Sequence, residues 1–322
     1  MQGLFNMASD SSLFISAQAG GALPLYEAKM MWQFDHRFST YEGATESQLN
    51  VGILPQPTPE QKAAPDFRVR TRYWVAETEA LNRLAPPTDE ELEALNEGKL
   101  KADELIRRQR ERAPKWLLGF RDITNTTNER TAIFSFLPRV AVGHTMPLVF
   151  TGASPDSQLC LCGNLNSLVF DYVTRQKLGG THLTYGYLKQ LPVLPPSFYR
   201  AADVAYVASR VLELVYTADD MQPLADALRA AASPLAATVP RAPYRWDEAR
   251  RALLRAELDA WFARAYGLTR DELRYILDPA DVHGPDFPGE TFRVLKEKET
   301  AKFGEYRTRR LVLEAWDEVP PH

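Results

Sequence analysis

The sequence predicts an α+β protein, with a mixed α/β domain over residues 23–196 followed by a helical domain over residues 197–322. Three observations lead there. Residues 116–152 hold apolar or alternating runs at 117–123, 132–142 and 147–151, separated by turn residues, which is the pattern of short strands. From Val204 onward the apolar residues instead recur three and four apart: Val207, Val211, Leu214 and Val215 form one stripe, and Leu254, Leu258, Trp261 and Ala265 another. The composition is that of an ordinary soluble globular chain, 45% hydrophobic and 25% charged over 322 residues, long enough for one large or two modest domains.

The elements follow in order. Residues 1–22 read as a loosely ordered N-terminal segment, ending in Ala19-Gly-Gly-Ala22. The aromatic residues Tyr26, Trp32, Phe34 and Phe38 are expected in the core of the α/β domain. Residues 53–66 carry Pro55, Pro57, Pro59 and Pro65 and read as a loop. Residues 68–76 alternate and contain Tyr73, Trp74 and Val75, which suits a strand. Pro86-Pro-Thr-Asp-Glu-Glu91 starts a helix with Thr88 as N-cap and acids in its first turn. That helix is expected to reach about Arg112. Its basic end (Arg107, Arg108, Arg110, Arg112) suits the helix dipole. Leu161, Leu165, Leu168 and Tyr172 predict a helix over 159–173. Lys177-Leu-Gly-Gly-Thr-His182 reads as a tight turn, and 188–194 as a short strand ended by Pro195-Pro196. The Pro- and Ala-rich stretch 233–243 reads as a linker between helical blocks. Gly267 closes one helix, and Thr269 caps the next, which stops before Pro279.

Charge is unevenly spread along the chain. The net charge is −4, which by itself weighs against a polyanionic partner. Residues 68–189 alone are net positive, with 17 basic and 14 acidic side chains. No apolar run of membrane-spanning length and no secretory leader pattern is present, so a cytoplasmic protein is expected. The two cysteines, Cys160 and Cys162, would lie about 200° apart on a helix; with no nearby histidine they read as buried thiols, not zinc ligands. Catalytic signatures are missing as well. Asp278-Pro-Ala-Asp281 lacks the second proline and the aromatic residue of an amino-methyltransferase clamp. No glycine-rich cofactor loop, Walker loop or His-Glu-x-x-His occurs. Pro285-Asp286 is not followed by a Glu-x-Lys, and the charges at Lys296-Glu-Lys-Glu299 fall on a helical face. His36, His144, His182 and His283 are scattered singly.

Several stretches together carry a family resemblance. They are Leu23-Pro-Leu-Tyr-Glu-Ala-Lys-Met-Met-Trp-Gln-Phe-Asp-His-Arg-Phe-Ser-Thr-Tyr41, Trp116-Leu-Leu-Gly-Phe-Arg-Asp-Ile123 leading into Thr127-Asn-Glu-Arg-Thr131, and Leu165-Asn-Ser-Leu-Val-Phe-Asp-Tyr172 leading into Arg175-Gln-Lys-Leu-Gly-Gly-Thr-His182. Leu188-Lys-Gln-Leu-Pro-Val-Leu-Pro-Pro196 and a helical tail from Trp246 to Trp316 follow. In this order they resemble the C-terminal target-recognition region of fused type IIG, BREX-like or DISARM-like adenine-specific DNA methyltransferases of restriction–modification and phage-defence systems. Phe5-Asn-Met-Ala-Ser-Asp-Ser-Ser-Leu-Phe14 resembles the segment that follows their catalytic domain. The turn and proline-rich end also resemble target-recognition domains of type I specificity subunits. The resemblance implies that residues 23–196 read double-stranded DNA while 197–322 form a helical support. It further implies that S-adenosylmethionine belongs to a methyltransferase catalytic domain acting in cis or in trans, and that this chain holds no cofactor. The competing expectation is a helical protein-interaction or scaffold subunit of a defence complex that does not read DNA.

Two polar stretches have the chemistry for DNA contact. Base edges in the major groove are read by paired donors and acceptors, arginine for guanine and asparagine or glutamine for adenine, while phosphates take cations and bare amides. In the first stretch the candidates are Arg121, Asn125, Asn128 and Arg130; in the second they are Arg175, Lys177, Gly180, Thr181 and His182. Asn128 and Arg130 are expected at base edges, and Arg175 and Lys177 at phosphates. A buried pairing of Glu129 with Arg130, or of Asp122 with Arg121, would make these arginines structural instead.

Overall fold

Two small three-stranded sheets and a set of helices make up the fold, and the polar loop 121–131 joins two strands of one sheet. The computed structural model describes residues 3–287 and 291–319. β1 (Ala22–Tyr26) is followed by two short helices, α1 (Glu46–Val51) and α2 (Pro59–Ala63), then by β2 (Trp74–Ala76). Next come α3 (Glu77–Leu84), α4 (Asp89–Asn96) and α5 (Ala102–Arg112). Four strands follow: β3 (Trp116–Phe120), β4 (Phe134–Pro138), β5 (Ala141–Val142) and β6 (Leu148–Val149). Sheet order is β2-β1-β5 in one sheet and β4-β3-β6 in the other. β3 and β4 are antiparallel from Trp116 opposite Pro138 to Phe120 opposite Phe134. The single run expected at 132–142 therefore supplies one strand to each sheet, breaking between Pro138 and Ala141.

The remaining helices are α6 (Pro155–Asn166), α7 (Leu168–Lys177), α8 (Tyr185–Leu188), α9 (Ala201–Val215), α10 (Gln222–Ala230) and α11 (Glu248–Ala265). α12 (Arg270–Leu277), α13 (Ala280–His283), α14 (Arg293–Phe303) and α15 (Arg307–Glu318) complete the chain. The protein is α+β with a helical C-terminal region. Thr88 and Thr269 both cap helices, each in a capping box with a glutamate three residues on. Among the described residues no helix is long and apolar enough to cross a membrane.

Six local expectations are corrected. Residues 3–22 are tied to the first sheet rather than loose: the Phe5 amide donates to Val142 at 3.0 Å, Ile15 and Trp74 exchange bonds of 2.8 Å, and Phe5 is fully buried. Met1 and Gln2 lie outside the described residues. The loop expected at 53–66 contains α2, with Pro59 in its first turn and Thr58 as cap. Over 68–76 only the last three residues pair. The helix expected from Thr88 to Arg112 is two, because Gly98 takes a φ of 72° after α4. The helix expected at 159–173 also divides, at Ser167, whose hydroxyl accepts from the Phe170 amide and starts α7. Residues 188–194 do not form a strand, and Pro192 and Pro195 could offer no N–H to a ladder.

The largest apolar cluster runs through α6, α7, α9, α10, α11, α12, α14 and α15, and takes in Phe34, Leu118 and Phe136. Helices on both sides of residue 197 thus share one core. Of the four aromatics expected inside, Tyr26 and Phe34 are buried, while Trp32 and Phe38 are half-buried and stacked with centroids 5.1 Å apart. Close approach of α6 to α9 and α11 depends on Gly163, where a Cβ would come within 3.1–3.3 Å of Val211, Phe262 and Val207. Replacing Gly163 by valine is expected to destabilise the protein by about 1–3 kcal/mol through overpacking. Urea denaturation checks it; an unchanged midpoint would mean that the crossing can open at no cost.

Candidate nucleic-acid interface

β3 ends at Phe120, and the chain runs on through the polar loop 121–131 before β4. The second polar stretch leaves the end of α7. These two segments, far apart in sequence, meet in a short antiparallel ribbon. The Thr124 amide donates to Thr181 O at 3.0 Å, the Leu183 amide donates to Asp122 O at 2.8 Å, and Ile123 stands opposite His182. Thr124 and Leu183 turn inward and are buried; Ile123 and His182 turn outward. Alternation of this kind is what a paired strand requires.

Beneath the ribbon lies a knot of buried charge. Asp171 on α7 is fully buried and accepts from the backbone amides of Thr131 and Ala132 at 3.1–3.2 Å. Its oxygens lie 2.8 Å from Arg130 Nε and 3.2 Å from Arg175 Nε. The Arg130 contact is a charge pairing without hydrogen-bond alignment. Arg130 also donates to Asn166 O, and the Asn166 amide exchanges 3.0 Å bonds with the backbone of Phe134, joining the loop to β4. The Arg175 guanidinium donates to four carbonyls, of Thr126, Asn128, Glu129 and Thr291, at 2.7–3.0 Å, and sits 4.5 Å from the Phe292 ring centroid. Nearby, burial pushes the Asp259 carboxyl up to about 6, against the pull of Arg130; this side chain accepts from the Leu168 amide at 2.7 Å.

The nine residues singled out from sequence therefore divide. Arg130 and Arg175 are buried, with Arg130 directed at Asn166 and Asp171 and Arg175 at the loop carbonyls, so the base-edge position expected for Arg130 and the phosphate position expected for Arg175 give way to a fold-holding one. The partner is Asp171, not Glu129, which instead pairs with Lys298 at 2.9 Å. Arg121 is likewise turned inward: it donates to Met31 O at 2.9 Å and lies 4.9 and 5.4 Å from the Trp32 and Phe38 ring centroids. Burial lowers its pKa to about 10. Asn125 spends its side-chain oxygen on the Thr127 amide and hydroxyl, both at 3.0 Å, an ordinary turn closure. Asn128, Lys177, Gly180, Thr181 and His182 are exposed, and Gly180, Thr181 and His182 lie along the outer rim that the ribbon forms. Gly180 has neither a left-handed φ nor any atom within 4 Å of a built Cβ, so the fold places no demand for glycine there.

Asp171, Asn166 and Ile123 escaped the sequence reading. The four-residue spacing of Asp171 and Arg175 on a helix was a usable signal. Nothing local announced that Arg130 would join them. Cys160 and Cys162 are buried, and burial raises both thiols. Among the described residues no cluster of His, Cys, Asp and Glu is arranged to hold a metal ion. No protein-family model, curated protein or solved structure matches this chain.

Proposed function

We propose that this chain is the DNA target-recognition module of an adenine-specific DNA methyltransferase, acting in restriction–modification or phage defence with a catalytic domain that binds S-adenosylmethionine. The observation that carries the reading is the convergence of the two polar stretches into one exposed rim on a rigid base. A site that reads sequence needs side chains held in fixed geometry, and the Asp171 knot supplies that support from below. A bare Gly179-Gly180 backbone beside Lys177 suits a phosphate, since amides and a mobile cation are what phosphates take. A two-stranded ribbon is one of the shapes that the major groove of B-DNA admits. The chain's likeness to methyltransferase recognition regions in its motif order supports the same reading.

Gel-shift titration of the full chain with duplex DNA at several salt concentrations tests it. Binding should weaken steeply as salt rises, because counterions are displaced from the phosphates. Lys177→Ala should weaken binding to all sequences alike and flatten the log–log salt slope by about one unit. Binding that is absent, or indifferent to salt, would remove the reading.

A further inference from the structure

In the ribbon, Ile123 and His182 are a directly opposed pair. The bonds run from the residue after each to the residue before the other, so the two form the narrow, non-hydrogen-bonded kind of pair. Their side chains then emerge on the same face, with Cβ atoms about 5 Å apart. Both are open to solvent: Ile123 is 55% exposed and the His182 side chain 57%. A large aliphatic group held outward on an otherwise polar rim has no packing role. Its neighbour is equally specific. His182 Nδ1 lies 3.1 Å from Asp122 Oδ2. The carboxylate can only accept, so the neutral ring carries its hydrogen on Nδ1 and keeps Nε2 as an acceptor.

An apolar patch beside a hydrogen-bond acceptor matches one base pair in particular. In the major groove a T·A pair presents the thymine methyl at one edge and, across the thymine O4 acceptor from it, the adenine N6 amino donor. A pair of outward side chains about 5 Å apart can span that separation. A C·G pair offers an amino donor without the methyl group. We infer that the Ile123–His182 pair is a base-reading contact that selects a T·A pair, with Ile123 on the thymine methyl and His182 Nε2 accepting from adenine N6. The inference rests on the target-recognition reading and assigns a sequence-specific contact of that site to residues other than Asn128 and Arg130, which were first expected at base edges.

The test begins with a randomised duplex library selected for binding by the full chain. The selected sequences should share a fixed T·A pair. Replacing that thymine with deoxyuridine removes only the methyl group and should weaken wild-type binding roughly fourfold, the worth of one buried methyl. Ile123→Ala should bind both duplexes equally, and with its side chain at the surface it should melt at the wild-type temperature. Replacing the paired adenine with purine, which lacks the amino group, should weaken binding by the wild type but not by His182→Ala. If deoxyuridine costs the Ile123→Ala variant as much as the wild type, the contact is elsewhere; a fixed sequence in the library would then leave the target-recognition reading standing. Salt-dependent binding that selects no sequence at all would overturn the base-reading pair and reduce the rim to a nonspecific phosphate surface. Failure to bind any duplex would remove both.

Discussion

Replacing Asp171 with alanine is expected to destabilise the protein by about 3–5 kcal/mol, because breaking a buried ion network by removing one partner leaves the other charges without compensation. Among the described residues Asp171 is the single anion in direct contact with both Arg130 and Arg175, and it also receives the amides of Thr131 and Ala132. Without it two guanidinium groups stay in the interior with carbonyl oxygens as their hydrogen-bond partners. A chain of this size should then melt roughly 4–7 °C lower. Asp171→Asn should lose less in volume but still substantially, since its NH2 would point at a cation. Thermal denaturation of the two variants checks the expectation. If both melt at the wild-type temperature, water reaches the knot and the loop 121–131 is held by other means. On the target-recognition reading proposed above, DNA binding should fall along with stability, because the ribbon stands on this knot.

Removing Arg37 should cost about as much, for a different reason. Its side chain is fully buried, and its two terminal nitrogens donate to the carbonyls of Lys62, Ala64 and Thr217 at 2.8–3.0 Å, with a longer bond of 3.3 Å to Phe67. One guanidinium thus closes the end of α2 and the segment after it onto the turn after α9. Arg37→Ala leaves several buried acceptors unpaired and opens a cavity, for a loss of roughly 4 kcal/mol. Arg37→Lys should recover little, since an ammonium cannot reproduce the planar fork. The readout that separates this from a general weakening is amide hydrogen exchange, which should accelerate first at residues 62–67 and around Thr217. Uniform acceleration across α9 and α11 instead would show that the clamp is not local. The surroundings make the clamp rigid: Lys62 pairs with Asp35 at 2.6 Å, and His36 meets Asp220 at 3.0 Å. Burial alone would raise Asp35, but Lys62 and Arg251 outweigh it and hold the carboxyl below its ordinary range.

How much of this was legible depended on the reach of each interaction. Thr88 and Thr269 could be read as caps because a cap needs only a hydroxyl and the three residues that follow it. Helical stripes in α9 and α11 could be read because their apolar period is a property of one segment. The break at Ser167 also had a local cause, a serine able to restart a helix, yet the apolar period running through it concealed the interruption. Strand expectations fared worse at 188–194, where apolar residues looked like a strand but no neighbouring edge receives them. Polar residues were hardest. Arg130 and Arg175 have the same composition cues whether they face a partner or Asp171, since burial of a charge is decided by what comes to meet it.

The residues themselves determined the α+β class, the helical C-terminal region, the capped helix starts and the presence of two polar stretches rich in amides, hydroxyls and cations. These follow from local spacing and local hydrogen bonding, which act over a few residues. Tertiary structure alone decided that the two stretches meet, that Arg121, Arg130 and Arg175 turn inward, and that Ile123 and His182 turn outward as a pair. The cause is a two-residue ribbon between segments on either side of α7 and a carboxylate delivered beneath it by that helix. Such pairings cost chain entropy to close and are repaid only in the assembled core, so no single segment carries their signature.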